Sequence, residues 1–102
     1  MELRNEADFE RQVLQSPVPV IVEFSAAWCA PCKLQEKTLK GLMREQAGKV
    51  RCVKIDIDKL KGLAERYKVK AVPMILIFEK GKQKTQLNGL QTGEQLRRAL
   101  GL

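Results

Sequence analysis

Two cysteines separated by two residues stand where an apolar segment gives way to helix-forming residues. They are Cys29 and Cys32, within the stretch SAAWCAPCK at residues 25–33. At a helix start, unpaired backbone N–H groups and the positive end of the helix dipole stabilise a thiolate on the first thiol. Because thiolates attack disulfides, the spacing predicts that Cys29 attacks a substrate disulfide and that Cys32 resolves the mixed disulfide. Pro31 suits the first helical turn, where its missing N–H costs nothing.

A metal site and a structural disulfide are the alternatives for this cysteine pair. Structural zinc usually takes four ligands, whereas the chain has three cysteines and no histidine. We therefore expect no metal within one chain, while a zinc site shared by two chains stays open. The start of the chain, MELRNEADFERQ, lacks the basic and apolar regions of a secretory signal. The expected location is the cytoplasm, where a reducing environment disfavours permanent disulfides.

The third cysteine, Cys52, is left over once Cys29 and Cys32 are paired. Its expected role is that of a small apolar filler on a strand, because free cysteine is commonly buried. The alternative role is a regulatory thiol, which requires measurable reactivity in the folded protein.

The composition fits one globular domain, which we place at residues 1–102, with 44% hydrophobic and 30% charged residues. The longest apolar runs are shorter than the roughly 20 residues that span a bilayer, so no membrane association is expected. The net charge is +7. Such a charge is typical of ordinary solubility, with acidic protein partners or nonspecific nucleic-acid binding as alternatives. We expect no specific nucleic-acid recognition, because Tyr67 is the one aromatic residue not already assigned to core or site.

Apolar periodicity and turn residues divide the chain into alternating helices and strands. The predicted helices lie at residues 7–14 (capped by Asn5 or Asp8), 32–47 (closed by Gly48), 60–67 and after Thr92. The predicted strands lie at residues 18–24, 50–58 and 72–78 and from Gly81 to Leu87. The first and third strands are apolar on both faces, which is typical of strands covered on both sides. This order indicates a single-domain α/β fold with a central mixed sheet and helices on both faces.

The longest predicted helix carries a row of basic residues at helical spacing. They are Lys33, Lys37, Lys40 and Arg44. Such a row is more often a solvated helix face than a docking site.

In combination, these motifs resemble the thioredoxin family. The resemblance rests on VPVIVEFSAAWCAPCK, the KIDID strand, VPMILIF followed by KGK, and Gly89 before the last helix, in that order across nearly the whole chain. It implies a thioredoxin fold and a monomeric protein-disulfide reductase that has no bound cofactor and contributes to cell redox homeostasis. It also implies protein disulfides as substrates and a thioredoxin reductase as electron donor. A disulfide oxidase or isomerase, or an interaction module without redox turnover, are the alternatives.

The resemblance assigns roles to individual residues. It implies that Cys29 and Cys32 form the redox-active disulfide, with Cys29 exposed and Cys32 more buried. It implies that Trp28 covers the site as a flat surface. Pro73 is implied to be a cis proline beside the disulfide, where the Val72 backbone pairs with an extended substrate segment. The alternative for Pro73 is a proline that opens a strand. The other substrate-binding positions implied are Ala30, Pro31 and Gly89.

Glu23 is an acid inside an otherwise apolar strand, and a buried carboxylate is costly unless it is protonated, paired or functional. In the family this position usually carries aspartate behind the resolving cysteine. Our hypothesis is that Glu23 accepts the Cys32 proton, and an exposed strand position is the alternative. Burial raises the pKa of such a group, while a nearby Lys54 in a supporting role lowers it, so the direction stays open.

Three residues depart from the family pattern. Ala30 replaces the usual glycine between the cysteines, Lys37 replaces a proline that commonly kinks the long helix, and Met74 follows Pro73 where threonine is common. None of these changes removes a catalytic group. Neither residue between the cysteines is histidine, which argues against the oxidase and isomerase relatives.

Overall fold

The computed structural model describes residues 1–102 and contains four helical elements around one sheet. The helices are α1 (Glu6–Phe9), which continues as a π-helical segment (Glu10–Leu14), α2 (Ala30–Glu45), α3 (Lys61–Arg66) and α4 (Gly93–Ala99). The strands are β1 (Val20–Ser25), β2 (Arg51–Asp56), β3 (Met74–Glu79) and β4 (Lys82–Asn88). None of the helices combines the length and apolar character needed to cross a bilayer.

The sheet has the strand order β2-β1-β3-β4 and is mixed, as predicted. β1 pairs with β2 in parallel, whereas β3 runs antiparallel to both β1 and β4. Successive side chains of a strand point to opposite faces, so the central strands feed two separate cores. One core joins Val22 and Phe24 of β1 to Phe9 and to Leu63 of α3. The other core joins Ile21 to Leu39 of α2 and Leu96 of α4, which confirms helices on both faces.

The ends of the elements differ from the predicted ends for local reasons. β1 begins after Pro19, a residue that has no N–H to donate to the ladder. β3 begins at Met74, directly after the Val72–Pro73 bond, which is cis. The prediction that Gly48 closes α2 is wrong, because the helix ends earlier, with Gln46 as its C-cap.

Side-chain caps fix the starts of three helices. The Asn5 side chain accepts the Asp8 N–H at 2.8 Å, so Asn5 rather than Asp8 is the first cap. Thr92 and Gln95 form a reciprocal capping box at α4. Cys29 itself caps α2, which starts two residues earlier than predicted. Both residues between the cysteines therefore belong to the helix.

Tyr67 is not the uncommitted aromatic residue that the sequence predicted. Its ring packs against Phe9, Phe24 and Phe78 at centroid distances of 5.6, 6.1 and 5.9 Å. Trp28, which is 70% exposed, is therefore the chain's one aromatic side chain largely in solvent.

Candidate active site

The cysteine pair lies where β1 ends and α2 begins. Cys29 and Cys32 form a disulfide with their Cα atoms 5.3 Å apart. The Cys29 sulfur accepts the Cys32 backbone N–H at 3.2 Å, so this sulfur faces the amino end of a 16-residue helix. That position favours negative charge on Cys29 once the disulfide is reduced.

Both cysteines are enclosed, with Cys29 4% and Cys32 1% exposed. The expectation of an exposed Cys29 is therefore wrong for this disulfide form, although Cys29 remains the more accessible of the two. The enclosure comes from Ala26, which packs with both cysteines, and from the half-buried Ile57 and Val72 beside them.

Three chain segments meet at the cysteine pair because of the strand directions. β3 is antiparallel to β1, so its start lies beside the end of β1, and the end of β4 lies on the other side of that start. The cis Val72–Pro73 bond thus comes next to the disulfide, with the Val72 carbonyl oxygen 3.7 Å from the Cys29 sulfur. The Gly89 N–H donates to the Pro73 carbonyl at 2.9 Å. The structure thus brings Cys29, Val72, Pro73 and Gly89 together.

Trp28 is held in place although it is largely exposed. Its Nε1 donates a hydrogen bond of 2.9 Å to the Asp58 carboxylate. Asp58 is positioned in turn by its own N–H, which donates to Asp56 at 2.8 Å. Sequence reasoning missed Asp58, whose only signal is that it is the final acid of the KIDID motif. Trp28 is thus a fixed, exposed apolar surface next to Cys29 in the chain.

Glu23 is buried, 1% exposed, with its Oε2 atom lacking any hydrogen-bond partner. The alternative of an exposed strand position is therefore excluded. Burial, and to a lesser extent the nearby Glu36 charge, raise the Glu23 pKa to about 7 against the opposing effect of Lys54. The sequence left open whether the Glu23 pKa is raised or lowered, and the structure shows that it is raised. Close to neutral pH, the carboxyl exchanges readily between its protonated and ionised forms.

Lys54 is adjacent to Glu23 in the β1–β2 register but is not bonded to it. Its ammonium group instead donates to Glu36 at 2.6 Å, with Glu2 at 3.9 Å. The expected support of Glu23 by Lys54 is therefore electrostatic and indirect. Sequence reasoning missed Glu36, because nothing in a helical pattern indicates which strand residue an acid on the helix will meet.

Cys52 and Glu23 both line a groove of about 530 Å³ between α2 and β2. Cys52 is partly buried, and this burial raises its pKa to about 12. A thiol in this environment is overwhelmingly protonated at neutral pH, which agrees with a packing role.

Gln35 is a third residue that sequence reasoning missed. It is fully buried, and its amide donates to the Gln91 carbonyl at 3.0 Å and accepts the Gln91 N–H at 2.7 Å. These two bonds tie the first turns of α2 to the segment between β4 and α4, next to Gly89. A polar residue in a helical pattern reads as exposed, so no sequence signal reveals this link.

A capped cysteine pair beside a cis proline, on a mixed sheet covered by helices, defines a thiol-disulfide oxidoreductase. The family model for thioredoxin matches residues 1–101. The chain belongs to the thioredoxin family.

Individual relatives agree with this assignment. Thioredoxin of Rickettsia felis is 35% identical over 91 residues, which cover 89% of this chain and 87% of the relative. Mitochondrial thioredoxin of Mus musculus is 39% identical over 89 residues, covering 87% of this chain and 54% of the relative. Chloroplastic M-type thioredoxin of Spinacia oleracea is 36% identical over 85 residues, covering 83% and 47%. The chain thus spans about half the length of the mouse and spinach relatives.

Proposed function

We propose that the protein reduces disulfides in other proteins, with Cys29 as the nucleophile. The observation that carries the proposal is the Cys29 sulfur at the amino end of α2, where it accepts the Cys32 N–H at 3.2 Å. In the dithiol form the same N–H and the helix dipole stabilise the Cys29 thiolate.

The reaction proceeds by two exchanges at sulfur. The Cys29 thiolate attacks one sulfur of the substrate disulfide, which forms a mixed disulfide and releases the other substrate sulfur as a thiolate that takes up a proton. Cys32 then loses its proton and attacks the Cys29 sulfur. This second step breaks the mixed disulfide, releases the second substrate thiol and leaves the Cys29–Cys32 disulfide.

Glu23 is the proposed acceptor of the Cys32 proton, directly or through water. What supports this role is its burial, its unpaired Oε2 atom and a pKa of about 7. A general base works best when its pKa lies near the working pH. Lys54 and Glu36 are positioning residues in this scheme, because their charges adjust the pKa that burial gives Glu23, in opposite directions.

The proposed substrate-binding surface surrounds Cys29. An extended substrate segment pairs with the backbone at Val72, beside Pro73, while Trp28 supplies a flat apolar contact. The exposed Gly89, together with Ala30 and Pro31 of the first helical turn, completes the surface. Main-chain pairing accepts many sequences, which suits a reductant with several protein substrates.

The partners and setting form a further part of the proposal. A thioredoxin reductase returns two electrons and two protons to the disulfide, and no bound metal or organic cofactor is needed because the sulfurs carry the electrons. We propose a monomer in the cytoplasm, since the unpaired Cys52 suits a reducing compartment. Size-exclusion chromatography and localisation of a tagged full-length chain test these two points.

The first test is the redox equilibrium of the purified protein across a series of thiol-disulfide buffers, followed by mass spectrometry of the cysteine pair. We expect a strongly reducing couple, near the value of about −270 mV that is known for thioredoxin. An oxidising couple would shift the assignment to disulfide formation or isomerisation. If no reversible Cys29–Cys32 disulfide formed, the interaction module would replace both.

A further inference from the structure

The outer face of α2 carries four exposed basic side chains in one row. Lys33, Lys37, Lys40 and Arg44, here called the α2 basic stripe, follow one another at intervals of four, three and four residues. This spacing keeps them on one side of the helix. With a rise of about 1.5 Å per residue, the stripe extends for roughly 16 Å. It begins one residue after Cys32.

The stripe is not neutralised by direct ion pairs within the chain, although Glu36 lines a groove with Lys40 and Arg44. The two acids of α2 are both bonded elsewhere, Glu36 to Lys54 at 2.6 Å and Glu45 to Arg97 at 3.2 Å. None of the four basic residues forms a salt bridge. Four like charges therefore create a positive potential directly beside the redox site.

The near end of the stripe lies next to the proposed substrate-binding surface, because Lys33 directly follows Cys32. Lys33 lines one groove with Ala26 and Ala27, the loop residues that precede Trp28, and with three acids, Glu2, Glu36 and Asp56. A substrate bound across Trp28 and Val72 therefore has a direct path onto α2. The stripe differs in this position from the chain's other exposed lysines, such as Lys82 on β4.

We propose that the α2 basic stripe docks an acidic segment next to the disulfide of a protein substrate, and so selects among substrates. This inference rests on the proposed disulfide reductase function. Cys29, which bonds the substrate sulfur, is separated along the helix by about 12 Å from Lys37 and by about 22 Å from Arg44. At about 3.3 Å per extended residue, the acidic residues lie roughly four to seven positions from the reacting substrate cysteine.

A protein partner fits this surface better than a nucleic acid. Binding of single-stranded nucleic acid typically adds stacking aromatics to a basic groove. No aromatic residue lies on the outer face of α2, and the exposed Trp28 stands at the cysteine pair. Charge complementarity without stacking matches an acidic polypeptide, for which long-range attraction raises the association rate.

The test uses three synthetic disulfide peptides that differ only in the residues beside the disulfide, which are acidic, neutral or basic. The reduced protein is mixed with each peptide in a stopped-flow instrument, and second-order rate constants are measured at low and high salt. We expect the acidic peptide to be reduced about tenfold faster than the neutral one at low salt, with the advantage lost at high salt.

Two charge-reversal variants identify the surface. K37E/K40E changes the stripe, while K61E/K82E reverses two exposed lysines on α3 and β4 and alters the net charge equally. We expect only K37E/K40E to lose the preference for the acidic peptide. Both variants should reduce the neutral peptide at the wild-type rate, which shows that fold and cysteine chemistry are intact.

The outcomes separate the two proposals. If neither the wild-type protein nor either variant reduced the neutral peptide, the proposed reductase function would be wrong. If the neutral peptide were reduced normally but the acidic one had no advantage, or lost it equally in both variants, the docking proposal would be overturned. It would also be overturned if a DNA oligonucleotide bound wild type but not K37E/K40E while peptide rates stayed equal.

Discussion

Glu23 links the protonation of one side chain to the stability of the protein. Its pKa is 4.5 as an ordinary glutamate and about 7 in the folded protein. Between these values the folded state binds more protons than the unfolded state, so the free energy of unfolding falls as pH rises through this window. At about 1.4 kcal/mol per pKa unit, the loss is about 3 kcal/mol.

Urea unfolding of wild type and Glu23→Gln between pH 4 and pH 8 checks this prediction. We expect the variant to gain about 3 kcal/mol relative to wild type as pH rises, because glutamine cannot ionise. Glu65→Gln, at an exposed position without an ion pair, controls for the loss of a carboxylate. Parallel curves for wild type and Glu23→Gln would show that Glu23 titrates alike in both states.

Glu23 also makes a kinetic prediction through its proposed role as base. With a pKa of about 7, it is ionised above neutral pH and can then accept the Cys32 proton. We expect resolution of a preformed Cys29 mixed disulfide to quicken through pH 7 in wild type. In Glu23→Gln we expect it to be about 10²-fold slower, the lower range for general-base catalysis. Stopped-flow release of a fluorescent peptide measures the rate.

Lys54→Met is the companion variant for the kinetic prediction. Lys54 lowers the Glu23 pKa, so its removal should move the midpoint of the rate profile to higher pH while leaving the base in place. An unchanged rate and pH profile in Glu23→Gln would exclude Glu23 as the acceptor.

Cys52 should be inert in the folded protein. With a pKa of about 12, only about one thiol in 10⁵ is ionised at pH 7. We expect iodoacetamide to modify Cys29 in the reduced protein well before Cys52, and to reach Cys52 only after denaturation. Peptide mapping at successive times measures both reactions. Rapid folded-state modification of Cys52 would revive the regulatory-thiol alternative.

At the scale of elements, Gln35 predicts how α2 is joined to the end of the sheet. Gln35→Leu keeps a similar volume but leaves the partly buried N–H and carbonyl of Gln91 without their side-chain partners. We expect a loss of about 1–3 kcal/mol in the free energy of unfolding. Gln46→Leu, at the half-exposed C-cap of the same helix, is the control. Equal losses would mean that the two bonds contribute no net stability.

The elements that could be predicted from the sequence are those with strong local signals. The apolar runs of β1 and β3, the Asn5 cap and the Thr92 cap place strands and helices within a few residues. The ends shift where backbone chemistry intervenes, as at Pro19 and at the cis Val72–Pro73 bond. A cis bond is a minority state for any proline, so only the family resemblance pointed to it.

The residues of the candidate site also divide into those with a local signal in the sequence and those without one. Cys29, Cys32 and Glu23 carry local signals, a spacing and an acid in an apolar strand. Glu36 and Gln35 do not, because their partners Lys54 and Gln91 lie 18 and 56 residues away. The packing of α2 on the sheet determines which of these long-range pairs form. That packing cannot be derived from a single sequence.

At the scale of the whole molecule, the direction of electron flow and the stability of the fold are linked by a thermodynamic cycle. Folding and reduction of the Cys29–Cys32 disulfide form its four sides. The unfolding free energy of the oxidised protein minus that of the reduced protein must therefore equal the reduction potential of the unfolded chain minus that of the folded chain, once the potentials are converted to free energy for two electrons. Every 30 mV corresponds to about 1.4 kcal/mol.

A protein reductant should have a lower potential folded than unfolded, so we expect the oxidised protein to be the more stable form. Guanidinium unfolding of both forms measures one side of the cycle, and thiol-disulfide equilibria with and without denaturant measure the other. The stability difference and the potential difference must agree within error. A disagreement would reveal that one of the samples was incompletely reduced. Greater stability of the dithiol form would mean that the fold favours giving up its disulfide, as in strong oxidants. The protein would then form disulfides in its substrates, because the same Cys29 and Cys32 would run the exchange in reverse.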